Sequence, residues 1–144
     1  MKQTDNFKFD EANVMNELVY RNLSEDEKRQ ICAWKYGGEY DLYNLPSYEE
    51  MQVRQIGFMN PKSEKNYYGF WDESILVGFV NILEEKEEIF IGIGVNPDLC
   101  NKHYGQRMLL ITYEISKKLY PNKPLYLEVR TWNIRAIKCY QKAG

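Results

Sequence analysis

The chain has 144 residues, 19 Lys+Arg against 21 Asp+Glu, 44% apolar and 15% aromatic side chains, which accommodates one domain with one core and little else. Its longest charge-free apolar stretch, residues 74–83, is too short to cross a bilayer, so no membrane partner is expected. Three widely spaced cysteines (Cys32, Cys100 and Cys139) and a single histidine, His103, exclude a disulfide framework and a structural zinc site, and no nucleophile elbow accompanies them, so hydrolase readings and a metal cofactor are set aside.

Residues 1–15 are polar with scattered apolar positions and read as an N-terminal arm. They contain no hydrophobic region of a secretory signal, which predicts a cytoplasmic protein, and residues 16–144 read as a single domain. Residues 17–22 predict a short strand. Ser24-Glu25-Asp26-Glu27 is a capping box, in which hydroxyl and carboxylate each satisfy a helix-end N–H, and predicts a helix from Glu25 to about Trp34. Ser47-Tyr48-Glu49-Glu50 repeats the pattern and predicts a second helix to about Ile56. Three β-branched and aromatic runs, residues 66–71, 75–83 and 88–95, are separated by short acidic turns and predict an antiparallel meander. A helix fits Tyr104 to Leu119 with Met108, Ile111, Ile115 and Leu119 on one face, followed by a strand over residues 125–129 and a last helix capped by Asn133.

The charge is not evenly spread. Residues 1–100 hold 10 Lys+Arg and 19 Asp+Glu, a balance of −9, while residues 101–144 hold 9 and 2, a balance of +7. A basic C-terminal third suits an anion such as a phosphate, and equally suits basic side chains that only solvate two helices. Its Lys and Arg are not interleaved with an aromatic platform, which argues against a nucleic-acid partner. Between residues 95 and 107 a strand ends, a loop turns and a helix begins, which places free N–H groups and the positive helix end where a phosphate can bind. In Asn133-Ile134-Arg135-Ala136-Ile137-Lys138-Cys139-Tyr140-Gln141-Lys142-Ala143-Gly144, Asn133 and Tyr140 are two helical turns apart and look along a similar face.

On these segments the chain resembles the GNAT superfamily of acyl-CoA-dependent N-acyltransferases. The last segment matches the family pattern N-x-R-A-I-x-x-Y-x-K-x-G position for position. The phosphate loop departs from the family's [RQ]-x-x-G-x-[GA], because Cys100, Asn101, Lys102, His103, Tyr104 and Gly105 keep only the last glycine. His103 stands at a glycine position and reaches positive φ only at a cost, whereas Asn101 tolerates it better and Lys102 adds charge. As a lone loop histidine, His103 also reads as a solvent-facing substitution.

The resemblance implies an α/β (α+β) fold with a mixed, mostly antiparallel sheet flanked by helices, and acetyl-CoA as cosubstrate. Backbone groups of Ile93, Gly94 and Val95 would pair with the pantetheine arm, N–H groups from Lys102, His103, Tyr104, Gly105, Gln106 and Arg107 would cradle the pyrophosphate together with Asn101, and Asn133 would bond the cofactor. Tyr140 would act as general acid toward the thiolate, a phenol near pKa 10 serving a thiol near 8.5 if held within hydrogen-bond reach. The alternative for Tyr140 is a helix tyrosine that packs by its ring. The base would be Glu88 or Glu128, both of which also read as surface carboxylates. Glu39, Tyr40 and Tyr43, in the loop between the first two helices, would face a cationic amine through charge and cation–π attraction.

The expected activity is acetyl transfer from acetyl-CoA to a primary amine of a small molecule or protein by direct attack in a ternary complex. The rival is a degenerate acyl-CoA-binding module used as sensor or subunit. Because the family usually continues with a further strand pair, the resemblance implies a C-terminally truncated fold whose exposed sheet edge would pair with a second copy to give a homodimer.

Overall fold

A computed structural model describes residues 18–38, 44–100 and 102–127. The elements are β1 (Val19–Asn22), α1 (Glu25–Cys32), α2 (Tyr48–Arg54), β2 (Tyr67–Asp72), β3 (Ile75–Glu84), β4 (Ile89–Val95), α3 (Tyr104–Leu119) and β5 (Leu125–Tyr126). Three short 3-10 turns, Gly57–Met59, Glu64–Asn66 and Pro97–Leu99, were not legible as periodic segments. The N-terminal arm and the helix expected from Asn133 lie outside the described residues.

The caps explain the helix starts. Ser24 accepts from the Glu27 N–H at 3.4 Å while Glu27 Oε1 accepts from the Ser24 N–H at 2.8 Å, so the capping box forms in full. At α2 only half of it forms: Ser47 accepts from the Glu50 N–H at 3.1 Å, and the Glu50 carboxylate turns instead toward Arg54 at 3.7 Å. Gln55, in the left-handed region at φ 51°, ends α2 after Arg54, two residues before the expected end at about Ile56.

The sheet order is β1-β2-β3-β4-β5, with antiparallel neighbours through β4 and a parallel β4–β5 pair. Parallel pairing requires a crossover, which α3 supplies. Gly78 and Phe79 mark the two faces: a Cβ on Gly78 would press within 2.7 Å of Met108 Sδ in α3, while Phe79 packs with Phe58 and Trp34 against the α1 and α2 layer. Helices therefore cover both faces, over a core of Phe70, Val80, Ile82, Ile89 and Met108 on one side and of Ile31, Met51 and Phe58 on the other. A bulge in β3 assigns the residues between them. Phe70 pairs with Gly78 but Trp71 with Leu76, so Val77 is the extra residue and the inside–outside alternation shifts there.

The buried seam of α3 is Gly105, Met108, Leu109, Thr112, Ile115 and Ser116, rotated from the expected stripe, and Leu119 is half exposed. The small polar residues Thr112 and Ser116 fit the tight contact with the sheet that larger apolar ones would fill. Thr112 satisfies its hydroxyl on the Met108 carbonyl at 2.7 Å.

Candidate active site

Ile89 and Phe90 of β4 pair with Leu125 and Tyr126, and from Ile91 onward the second edge of β4 meets no strand among the described residues, which reach Leu127 on that side. The directions of the backbone groups along that edge follow from two hydrogen bonds. The Ile89 N–H reaches the Pro124 carbonyl at 2.9 Å, toward β5, and the Asn96 N–H reaches the Val77 carbonyl at 2.8 Å, toward β3. In a trans peptide the carbonyl of Val95 must then point opposite to the Asn96 N–H, away from β3. By the period of two, Ile91, Ile93 and Val95 all turn their N–H and C=O groups to that second edge. Gly94 does not: its carbonyl faces Gly78 of β3, 2.6 Å from where a Cβ on that residue would sit. Of the three residues expected to meet a cofactor arm, Ile93 and Val95 thus present polar groups at the edge, and Ile91 joins them.

β4 leads through the Pro97–Leu99 turn to the start of α3. The first bond of that helix runs from the Arg107 N–H to the His103 carbonyl at 3.2 Å, so the N–H groups of Tyr104 and Gly105 precede its ladder, at its positive end. His103 is the N-cap, at φ 67° and ψ 11°, and its side chain makes no capping bond. The backbone has kept a glycine's conformation at the position where the family motif has glycine. Lys102 and His103 are exposed, and Arg107 is half-buried, 4.0 Å from Asp72 Oδ2 with its guanidinium 5.4 Å above the Tyr104 ring. The Tyr104 hydroxyl donates to the same Asp72 oxygen at 2.7 Å, a bond that, together with burial, lifts this phenol above its usual value. Asp72 is therefore a carboxylate set among the cationic and phenolic groups of the phosphate end, a feature the sequence pattern did not single out.

On the face covered by α1 and α2, β4 presents Phe90, Gly92 and Gly94. Only glycine fits at Gly94, where a Cβ would come within 2.4 Å of the Phe79 ring. Beside Gly92, on β3, the Asn81 Oδ1 is buried and has no hydrogen-bond partner among the described residues. Tyr36, in the connection after α1, donates its hydroxyl to the Val95 carbonyl at 2.6 Å. Neither Asn81 nor Tyr36 carries a motif; only their position in the sheet and across it brings them here. Glu88 stands in the β3–β4 turn, where its carbonyl accepts from the Glu85 N–H at 2.8 Å. At about 3.3 Å per residue that turn is roughly 16 Å along the strand from Ile93. Glu39, Tyr40, Tyr43, Asn101, Glu128, Asn133 and Tyr140 lie outside the described residues.

The edge groups of β4 and the start of α3 together offer backbone donors and acceptors along an extended strand followed by a positive helix end. Solved structures share the fold. The chain is similar to a GNAT-family acetyltransferase from Bacillus anthracis (TM-score 0.72, 16% identity, 100% of this chain and 82% of that one). It is similar to the spermidine/spermine N-acetyltransferase of Vibrio cholerae (TM-score 0.68, 19% identity, 91% and 79%). It is also similar to a GNAT-family acetyltransferase from Streptococcus pneumoniae (TM-score 0.63, 22% identity, 89% and 84%). No curated protein sequence matches it. Among the described residues no helix is long and apolar enough to span a membrane, and no group of three metal-ligating side chains occurs. The profile of the Acetyltransferase (GNAT) family matches residues 16–144, which makes the chain a member of the GNAT family of N-acetyltransferases, whose cosubstrate is acetyl-CoA.

Proposed function

We propose that the protein transfers an acetyl group from acetyl-CoA to a primary amine of a small polycation, by direct attack in a ternary complex. The observation that carries this reading is the family match over residues 16–144, supported by the edge groups of Ile91, Ile93 and Val95, which turn away from β3 on the strand that leads to α3. Acetyl-CoA supplies the activated thioester. Ile93 and Val95 pair with the arm, the N–H groups at Tyr104 and Gly105 meet the pyrophosphate with Asn101, Lys102, His103, Gln106 and Arg107 around it, and Asn133 bonds the cofactor. Tyr140 gives the departing thiolate its proton. Because Glu88 sits in the turn and β4 itself carries no carboxylate, the proton of the amine reaches Glu88 only through bridging water.

The polyamine class is supported by two things. Spermidine acetyltransferases are among the proteins with this fold, and the first 100 residues, which include Glu39, Tyr40 and Tyr43, carry the balance of −9 that draws a polycation.

Thermal unfolding with and without CoA and an acetyl-transfer assay over polyamines, amino sugars and peptide N-termini test this. A stabilising shift with CoA and turnover on spermidine-like amines are expected. Replacing Tyr140 by Phe is expected to reduce kcat by about 100-fold or more with acetyl-CoA affinity within a few-fold. No shift at millimolar CoA would overturn the reading, and an unchanged rate in Tyr140→Phe would remove that residue from its role. CoA binding without transfer to any amine would leave the acyl-CoA-binding module as the function.

A further inference from the structure

We propose that the β2–β3 hairpin is the template of the phosphate loop, with Asp72 and Tyr104 as positioning residues: their hydrogen bond holds His103 in a conformation that glycine would adopt unaided. The inference rests on the reading of the start of α3 as the pyrophosphate end. His103 has φ 67° and ψ 11°, a left-handed conformation disfavoured for a residue with a Cβ. Its own side chain does not enforce it, since the imidazole is exposed and makes no capping bond. The restraint comes from the residues on either side.

Where the loop enters α3, the Tyr104 hydroxyl donates to Asp72 Oδ2 at 2.7 Å. Arg107, three residues on, lies 4.0 Å from the same oxygen with its guanidinium 5.4 Å above the Tyr104 ring. Asp72 is the last residue of β2 and pairs with Ile75 across the turn at Glu73 and Ser74, so the strand ladder fixes where its carboxylate stands. Where the loop leaves β4, the Asn96 N–H donates to the Val77 carbonyl at 2.8 Å and Asn96 Nδ2 to the Leu76 carbonyl at 3.1 Å. Asn96 Oδ1 in turn accepts from the Asp98 N–H at 3.0 Å. Both ends of the loop are thus fastened to one hairpin, Asn96 to its second strand and Tyr104 to its first. With the ends fixed, rotating His103 out of the left-handed region turns the start of α3 away from Asp72, and the Tyr104 bond opposes that rotation. The N–H groups of Tyr104 and Gly105 are thereby kept in place for an anion before it arrives. An oxygen acceptor at position 72 is enough for this, whereas its negative charge works against a phosphate.

The test is the dissociation constant of CoA, measured by titration calorimetry, in wild type, Tyr104→Phe, Asp72→Ala and Asp72→Asn, each with and without His103→Gly. Tyr104→Phe and Asp72→Ala are expected to weaken CoA binding about fivefold with His103 present, the loss of one hydrogen bond. In the His103→Gly background the same substitutions are expected to cost about twofold or less, because glycine holds the left-handed conformation without help. Asp72→Asn, which keeps an acceptor oxygen and removes the charge, is expected to bind CoA at least as tightly as wild type. Wild-type affinity in Tyr104→Phe overturns the inference alone, as does an equal loss in both backgrounds or an Asp72→Asn as weak as Asp72→Ala. No CoA binding by the wild-type protein overturns it together with the proposed function.

Discussion

His103 shows how much a single backbone angle says. It sits at φ 67° where the family motif carries glycine, so the loop geometry has been retained while the residue suited to it has not. A left-handed conformation costs a residue with a Cβ about 1–2 kcal/mol, and glycine gives some of that back through its freer unfolded chain. His103→Gly is therefore expected to stabilise the protein by about 0.5–1 kcal/mol, seen as a higher midpoint of chemical denaturation. A fall in the midpoint would mean that the imidazole makes a contact that outweighs the strain. Asn81 presents the reverse case, a residue whose conformation is ordinary but whose Oδ1 is buried without a partner among the described residues, a state with a desolvation penalty of about 1–3 kcal/mol. Such an atom beside Gly92 is suited to accept an N–H from a bound group.

Among the elements, α1 is fixed by ionic contacts as well as by its cap. Arg21 of β1 grips Glu27 with both nitrogens, at 2.7 and 2.6 Å, and this bond, aided by the Ser24 N–H and opposed by burial, holds the Glu27 carboxyl below its ordinary 4.5. Glu25 is lowered too, first by the Tyr48 hydroxyl and then by Lys28. Lys28 is 2% exposed and lies 3.1 Å from Glu25 and 3.4 Å from Glu64, tying α1 to the turn before β2. A carboxyl whose folded pKa is depressed contributes stability that is present above its unfolded value and lost as pH falls through the folded one. The melting temperature of the protein should thus fall as pH drops below 4.5, and the fall should be shallower in Glu27→Gln, which has a lower melting temperature at neutral pH. Parallel pH profiles for the two proteins would show that the Arg21–Glu27 contact contributes nothing.

At the scale of the molecule, the site depends on how closely α3 lies on the sheet. Gly78 pairs with Val95, the residue that ends β4, and a Cβ there would stand 2.6 Å from both the Gly94 carbonyl and the Met108 side chain. Met108 can swing aside, but the backbone carbonyl cannot without disturbing the ladder that aims β4. Gly78→Ala is expected to destabilise the protein by about 1–3 kcal/mol, measured as a lower denaturation midpoint, and to weaken CoA binding because both α3 and β4 move. A variant with wild-type stability would show that the contact relaxes without shifting the strand.

Much of this arrangement was legible along the chain. The meander, the start of α1 and both ends of α3 follow from capping residues and from periods of two and 3.6, which are local properties and so are written in consecutive residues. The strained left-handed position at His103 was likewise readable from the glycine it replaces. Other features could not be read, because they depend on pairing between distant segments. The bulge at Val77 reverses which residues face inward, and no local signal marks it. The α3 seam was misplaced because Thr112 and Ser116 are polar, yet small enough for the contact the sheet imposes. Tyr36 and Val95 are 59 residues apart, and only the folding of the α1–α2 connection across the sheet brings hydroxyl to carbonyl. Consecutive residues carried the order of the described helices and strands and the family pattern. Which edge groups of β4 turn away from β3, and what stands beside them, came from the fold, since register and face are set by contacts that neither strand encodes alone.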